Sequence, residues 1–500
     1  MSAIDAVPPR TGRPGVAGPR LGSIRTLLRL VWLELRRSPM PLMLPMVAAL
    51  FWFDALRTGQ GLPPIWTQRA SILPDHVLPD LGPIAAGMAA WIGGREERRG
   101  MGDLAESTAR PRWSRQLAAW SGALGWTLLA YAACATAVYA LAARASSWGG
   151  LPLWPVVVSG LGVAVFCTTG FVAGALFPSR FTAPLAAIGT LFVSVLVFQS
   201  AVSASSGWFL LSPNNALPEL DWGVFHPVPP ELSIVKAVFL LGLVVVLLGA
   251  LGVLGSMRGA QPRRTAFTVC VVGLCACVAG LALATTATRG SYGYDVPLLH
   301  DAASDHPIPY TPACTQGSAI PVCVHPAFSA DLPGASAAFA PLLAEVAGLP
   351  GAPTRVTQID IADLPPLDTR LQHTQFTQFG AWSALTTMQA GSAPVLEYGF
   401  GDPSTFTDTG AVAYLRGQAA QLVIGHIVAP NGTPDAAQQA VELALLQGAG
   451  ESAGSVAPAP STAVAAAAER FAETPSKSRA WLASHLDQLR TGQITLAELP

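Results

Sequence analysis

The chain has 500 residues, of which 51% are hydrophobic and only 12% charged, against about 25% charged in ordinary soluble domains. Its net charge of −1 conceals an asymmetry: residues 1–288 hold 21 Lys and Arg against 12 Asp and Glu, a net of +9, and residues 289–500 hold 8 against 18, a net of −10. An apolar, basic first part and an acidic second part exclude nucleic acid as a natural partner, which would ask for a basic patch on the soluble part.

In chain order, residues 1–20 are rich in Pro, Gly and Arg and read as a disordered tail. They lack the short apolar core and cleavage site of a secretory signal peptide. Leu21–Ser38 follows a helical pattern, with Ile24, Leu27, Leu28, Val31, Trp32 and Leu35 on one face and Arg25, Arg29 and Arg36 on the other. That amphipathic arrangement suits a helix lying in the membrane interface.

Long apolar runs then fill residues 39–287. An apolar stretch of roughly 18 residues or more can cross a hydrocarbon core about 30 Å thick. In lipid it must be helical to satisfy its own backbone. Seven spans are expected, at Pro39–Leu56, Leu81–Gly94, Leu117–Ala143, Leu153–Phe177, Phe181–Ala204, Leu232–Ser256 and Ala266–Ala287, the second being the shortest. With the N-terminus inside, 17 of the 21 cations in residues 1–288 fall on the cytoplasmic side, leaving Arg57, Arg69, Arg144 and Lys236 outside. This is the arginine bias of cytoplasmic loops, and seven crossings then carry residues 288–500 to the outside.

The loop between the second and third spans reads GGREERRGMGDLAESTARPRWSRQ. Its charges alternate in sign, so it faces water or a protein. An interfacial helix, two spans and a loop of the form E-R-R-G-x-x-x-L-x-x-x-T-x-x-P-R together resemble the permeases of ATP-binding-cassette exporters of the second type. Glu96 and Glu97, Gly100, Leu104, Thr108, Pro111 and Arg112 carry the loop's likeness, and the resemblance covers about residues 20–258. It implies that this loop is the coupling helix that docks on an ATPase subunit. It also implies two membrane halves, built by a homodimer or by this chain with a paralogous permease. The chain departs from the family at Met101 and Ala109, where a Thr and a Pro are usual, and in its added seventh span and large C-terminal domain.

No G-x-x-x-x-G-K-[ST] phosphate loop occurs, and neither Lys236 nor Lys477 lies in a Gly-rich context. No cofactor is therefore expected on the chain itself, and ATP would act through the partner subunit. Asp54, Arg57 and Lys236 lie near span ends and are expected to snorkel to the interface. A proton-coupled carrier, which asks for buried carboxylates, is correspondingly disfavoured. Ser205–Glu231, with Trp208, Phe209, Leu210, Trp222 and Phe225, is expected to dip into the outer interface.

Cys134, Cys167, Cys270, Cys275 and Cys277 fall inside spans, where thiols behave as small apolar groups. Cys314 and Cys323 are the two remaining cysteines. Their closeness in an exported domain points to a disulfide. A metal site with His306 and His325 competes with that reading, although the spacing matches no zinc signature.

Residues 288–330 read as a linker pinned by this disulfide, and 331–500 as a small α+β domain. Strand signals occur at Arg355–Ile361 and Pro394–Phe400. Helices are expected at Ser336–Ala347, at Pro434–Gln447 after an N-cap Thr433, and at Ala463–Leu489 beyond a linker over 449–462. No H-E-x-x-H or G-x-S-x-G motif occurs, so no enzyme is expected. His300, Asp301, Asp305, His306 and His325 read as a hydrophilic linker, and His373, His426 and His485 as surface or packing residues. The sequence thus leads to an α-helical membrane bundle of about seven spans followed by an α+β extracytoplasmic domain, working as an export permease in the cell membrane. A membrane-anchored outer-surface enzyme or sensor is the alternative.

Overall fold

The computed structural model describes residues 22–60, 62, 64–100, 111–203, 211, 223–256, 263–289, 294–359, 386–388, 395–399, 409–430, 433–451 and 460–500. The expected tail over 1–20 lies outside them, as do Leu104, Thr108, His373 and most of Ser205–Glu231.

Helix α1 (Gly22–Arg37) leads into α2, Met40–Gly59, which passes through a π-helical stretch at Phe51–Leu56. A second π-helical stretch, Leu73–Val77, opens directly into α3 (Leu78–Gly93). Then come α4 (Arg112–Ala145), α5 (Trp154–Leu176), α6 (Thr182–Ser203), α7 (Glu231–Ser256) and α8 (Arg263–Thr285). Each expected span coincides with a helix. Five of them, α2, α4, α5, α7 and α8, are long and apolar enough to cross a membrane. At 16 residues α3 is shorter, and α6 is apolar over Thr182–Leu196.

Small residues let these helices approach closely. A Cβ on Gly170 or Gly174 of α5 would lie 2.0 Å from the carbonyl oxygen of Ala86 or Ala90 of α3. Likewise a Cβ on Gly249 of α7 would meet the Cys270 backbone of α8 at 2.4 Å, and one on Gly273 would meet Val246 at 2.3 Å. Between lipid-surrounded helices this close backbone approach supplies the packing attraction that hydrophobicity cannot. Phe171, Leu78, Leu81, Val163 and Tyr131 fill the core around the α3–α5 crossing.

The C-terminal domain holds a five-stranded mixed sheet of order β3-β4-β5-β7-β6. Its strands are β3 (Ala313–Cys314), β4 (Val322–Val324), β5 (Arg355–Ile359), β6 (Thr386–Met388) and β7 (Val395–Gly399), preceded by a separate pair, β1 (Thr288–Arg289) with β2 (Tyr294–Asp295). Strand β4 runs parallel to β5, and β5 parallel to β7. Helices α9 (Leu332–Val346), α10 (Thr409–Val428), α11 (Ala436–Gly448), α12 (Thr462–Glu473) and α13 (Pro475–Arg490) complete it. Phe328, Phe339, Leu342, Ile424, Leu446 and Phe471 are among its buried core.

Three details depart from the sequence reading. Residues 288–330 are not a bare linker, because four of the strands lie there and two of them join the main sheet. The helix expected at Ala463–Leu489 is two helices, broken at Thr474 because Pro475 cannot continue one. Helix α11 is capped by Asp435 rather than Thr433: the Asp435 side chain accepts from Gln438 N at 2.8 Å, and Gln438 Oε1 accepts from Asp435 N at 2.9 Å. That reciprocal pair is a capping box.

Candidate functional site

At one end of the bundle the elbow helix, the loop after α3 and the start of α4 are joined by ion pairs. Gly93 ends α3, and Arg95–Arg98 form one further helical turn. Gly100 closes it with φ +63°, a left-handed conformation that side chains rarely adopt. Arg95 donates to both carboxylate oxygens of Glu34 in α1, at 2.9 and 3.2 Å. Arg112 donates to Glu97 Oε1 at 2.5 Å, and Arg115 lies 3.8 Å from Glu96. The Arg98 guanidinium stacks 4.3 Å from the Trp91 ring centroid and donates to the Trp91 carbonyl. Glu97 remains 40% exposed, so it can be reached by a partner.

Behind this face the contacts reach into the bundle. Trp126 Nε1 of α4 donates to the Leu35 carbonyl of α1 at 2.8 Å, and Trp113 Nε1 donates to the Leu248 carbonyl of α7 at 3.0 Å. Helix α4, which follows the loop, is thereby tied to α1 and α7. Of the residues singled out in sequence, Glu96, Glu97, Gly100, Pro111 and Arg112 gather here. Leu104 and Thr108 lie outside the described residues. Sequence reasoning missed Glu34 and Arg95, whose pairing spans 61 positions and leaves no local signal.

The opposite end of α4 meets the C-terminal domain. His325 is fully buried, packed against Trp148 from the α4–α5 turn (centroids 4.3 Å apart), Phe225 (5.0 Å) and Tyr310 (4.2 Å). Its Nδ1 accepts from Ala327 N at 3.1 Å. Burial pushes the imidazole down to about 4, so it is neutral at pH 7. Phe225 O accepts from Ile308 N at 2.6 Å, a second tie between the domain and the bundle.

Glu231, at the start of α7, is also buried. It accepts from Val296 N (3.1 Å), Asp301 N (3.2 Å) and His300 Nδ1 (3.1 Å). His300 Nε2 lies 3.2 Å from Asp305, whose hydrogen bond, with that of Glu231, raises the histidine above its ordinary value. Among the described residues, Glu231, Asp295 and His300 bring three ligand-type atoms within 4.8 Å of one another. Three hydrogen bonds to Glu231 already account for that geometry as a latch between α7 and the domain. His306 is exposed, whereas His325 is buried.

Cys314 and Cys323 are disulfide-bonded and sit opposite each other on β3 and β4, so their sulfurs are not held for a metal. Cys134, Cys167, Cys270, Cys275 and Cys277 are free, as expected. Lys236 departs from expectation: it is 1% exposed and does not snorkel. No protein-family model matches the chain, and no curated protein or solved structure matches it either.

Proposed function

We propose that the chain is the permease subunit of an ATP-driven exporter, moving an amphiphilic or apolar substrate outward with a separate ATPase docked on the loop between α3 and α4. The observation that carries this reading is the ion-paired assembly of Glu34–Arg95, Glu97–Arg112 and Glu96–Arg115. Exposed ion pairs add at most about 1 kcal/mol each, so these act by orientation. A push on the Arg95–Arg98 turn would reach α1 and α4 together, which is what a coupling element must do.

The apolar faces of α6 (Leu185, Ile188, Phe192) and α8 (Phe267, Val272, Val278) are exposed. They suit lipid or a second permease copy. The arginine bias supports a cytoplasmic N-terminus and an extracytoplasmic C-terminal domain in the cell membrane, and the disulfide fits an oxidising compartment.

The test is a charge reversal at the loop. Glu97→Lys combined with Leu104→Ala should abolish co-purification with the ATPase encoded nearest in the genome, and with it substrate-stimulated hydrolysis, while membrane insertion persists. Restoring Glu97 alone should recover binding in part. Full association of the double variant with an active ATPase overturns the docking assignment.

A further inference from the structure

The two π-helical stretches face each other at the domain-side end of the bundle, and both carry ionisable groups. Asp54 lies in Phe51–Leu56, and Asp75 and His76 in Leu73–Val77. His76 Nδ1 is 2.7 Å from Asp54 Oδ2. Asp75 bonds Ser71 and faces His76 and the buried Lys236 of α7. Asp80, near the start of α3, faces Asp54, His76 and, on α4, Cys134. Its Oδ2 is buried without a hydrogen-bond partner. Arg69 donates to the Gly59 and Leu62 carbonyls.

Asp54, Asp75 and Asp80 bring three carboxylates close to His76 and Lys236, and Asp54 and Asp80 repel one another. An ionised oxygen without a partner in a low-dielectric bundle is costly, whereas a neutral carboxyl is far cheaper. A bound proton or another cation at Asp80 would relieve that cost. A metal ion does not fit, because Asp54, His76 and Asp80 are not among the described residues that bring three ligand atoms within 4.8 Å of one another. Pi-helical turns recur at functional positions, and ionisable groups facing the interior of a membrane bundle commonly form proton relays.

We propose that Asp54, Asp75, His76, Asp80 and Lys236 form a proton-binding site within the bundle, with Asp80 holding one exchangeable proton. The proton enters at Asp54, whose side chain is 46% exposed, and passes by way of His76, which is 28% exposed. Its arrival leaves the Asp54–His76 pair intact and removes the repulsion between Asp54 and Asp80. The site lies at the far end of α3 from the coupling face, so it stands independently of any docking ATPase.

Infrared difference spectra of the full chain in lipid nanodiscs test this as pH is stepped from about 9 to about 5. A protonated-carboxyl band should grow in, and Asp80→Asn should remove it while lowering the total proton uptake by one per chain. His76→Gln keeps all three carboxylates, and it should move the midpoint by at least about tenfold in proton concentration. It carries the test should Asp80→Asn fail to elute as folded protein. Absence of a titrating carboxyl band overturns the proposal. So does a band unchanged in either variant, or sodium bound one per chain in place of the proton.

Discussion

His325 shows how a single buried side chain can set a pH limit. Its ordinary value is about 6.5, and burial holds it at about 4 in the fold. As pH falls, the unfolded chain takes up this proton first, so stability is lost between about pH 6.5 and about 4. The loss should approach about 3 kcal/mol. His325→Phe keeps an aromatic ring among Trp148, Phe225 and Tyr310 and forfeits only the bond from Ala327 N, worth about 1 kcal/mol. Unfolding of the C-terminal domain, followed by hydrogen exchange at Val322–Phe328, should then lose most of its acid sensitivity. An equally acid-sensitive variant would show that another group is responsible. His300 has the opposite sign. Its value is raised by Asp305 and Glu231, so its stabilisation is full at low pH and is lost as pH rises through that raised value. Glu231→Gln should speed exchange across Val296–Asp305 and blunt that alkaline loosening; unchanged exchange would deny the latch.

Among the elements, the α3–α5 crossing is the most sensitive to one added methyl group. A Cβ at Gly174 would sit 2.0 Å from a backbone oxygen, which cannot rotate away. Gly174→Ala should therefore cost about 3 kcal/mol by overpacking and lower the monodisperse yield on size exclusion. Gly189→Ala on α6 meets nothing within 4 Å and should be neutral or mildly stabilising, since Ala favours helix over Gly by about 1 kcal/mol. Equal behaviour of the two variants would mean that the crossing is looser than drawn. The helices of residues 39–287 were legible because hydropathy over twenty residues is a local property, whereas α10 in the C-terminal domain was not read. Two helix ends were misread despite a local cue: Pro475 marks a break and D-A-A-Q at Asp435–Gln438 spells a capping box, but the longer periodic run and Pro434 masked both. Pairings were not legible. Glu34 with Arg95, Asp54 with His76 and Glu231 with His300 are separated by 61, 22 and 69 positions, and only tertiary packing brings them together. Lys236 illustrates the same limit, because its position near a span end invites snorkelling while its neighbours on other helices bury it.

At the scale of the molecule, α4 is the measure of separation between the charged loop and the C-terminal domain. Its 34 residues begin at Arg112 on the charged loop and end at Ala145, just before Trp148 on His325. At 1.5 Å per residue the helix is about 50 Å long, enough to pass a hydrocarbon core about 30 Å thick with turns to spare. The charged face and the C-terminal domain are therefore expected on opposite sides of the membrane, and the arginine bias selects which is inside. The five free cysteines can be replaced by Ala to give a quiet background. In that background Leu298→Cys, at a site 79% exposed in the domain-side turn, should react with an impermeant maleimide in intact cells. Arg99→Cys, exposed at the loop, should react only after permeabilisation. Cys314 and Cys323 should stay silent until a reductant is added, because their bond closes a loop spanning nine positions. Chain entropy assigns that loop just under about 3 kcal/mol, so Cys314→Ser should expose Pro309–Phe328 to protease while insertion is unaffected. Labelling in the reverse order would place the disulfide in a reducing compartment and the arginines outside. That single result would remove the physical basis for an ATPase on the Glu97–Arg112 face, whereas the expected order leaves the ATPase only one end of the bundle on which to act.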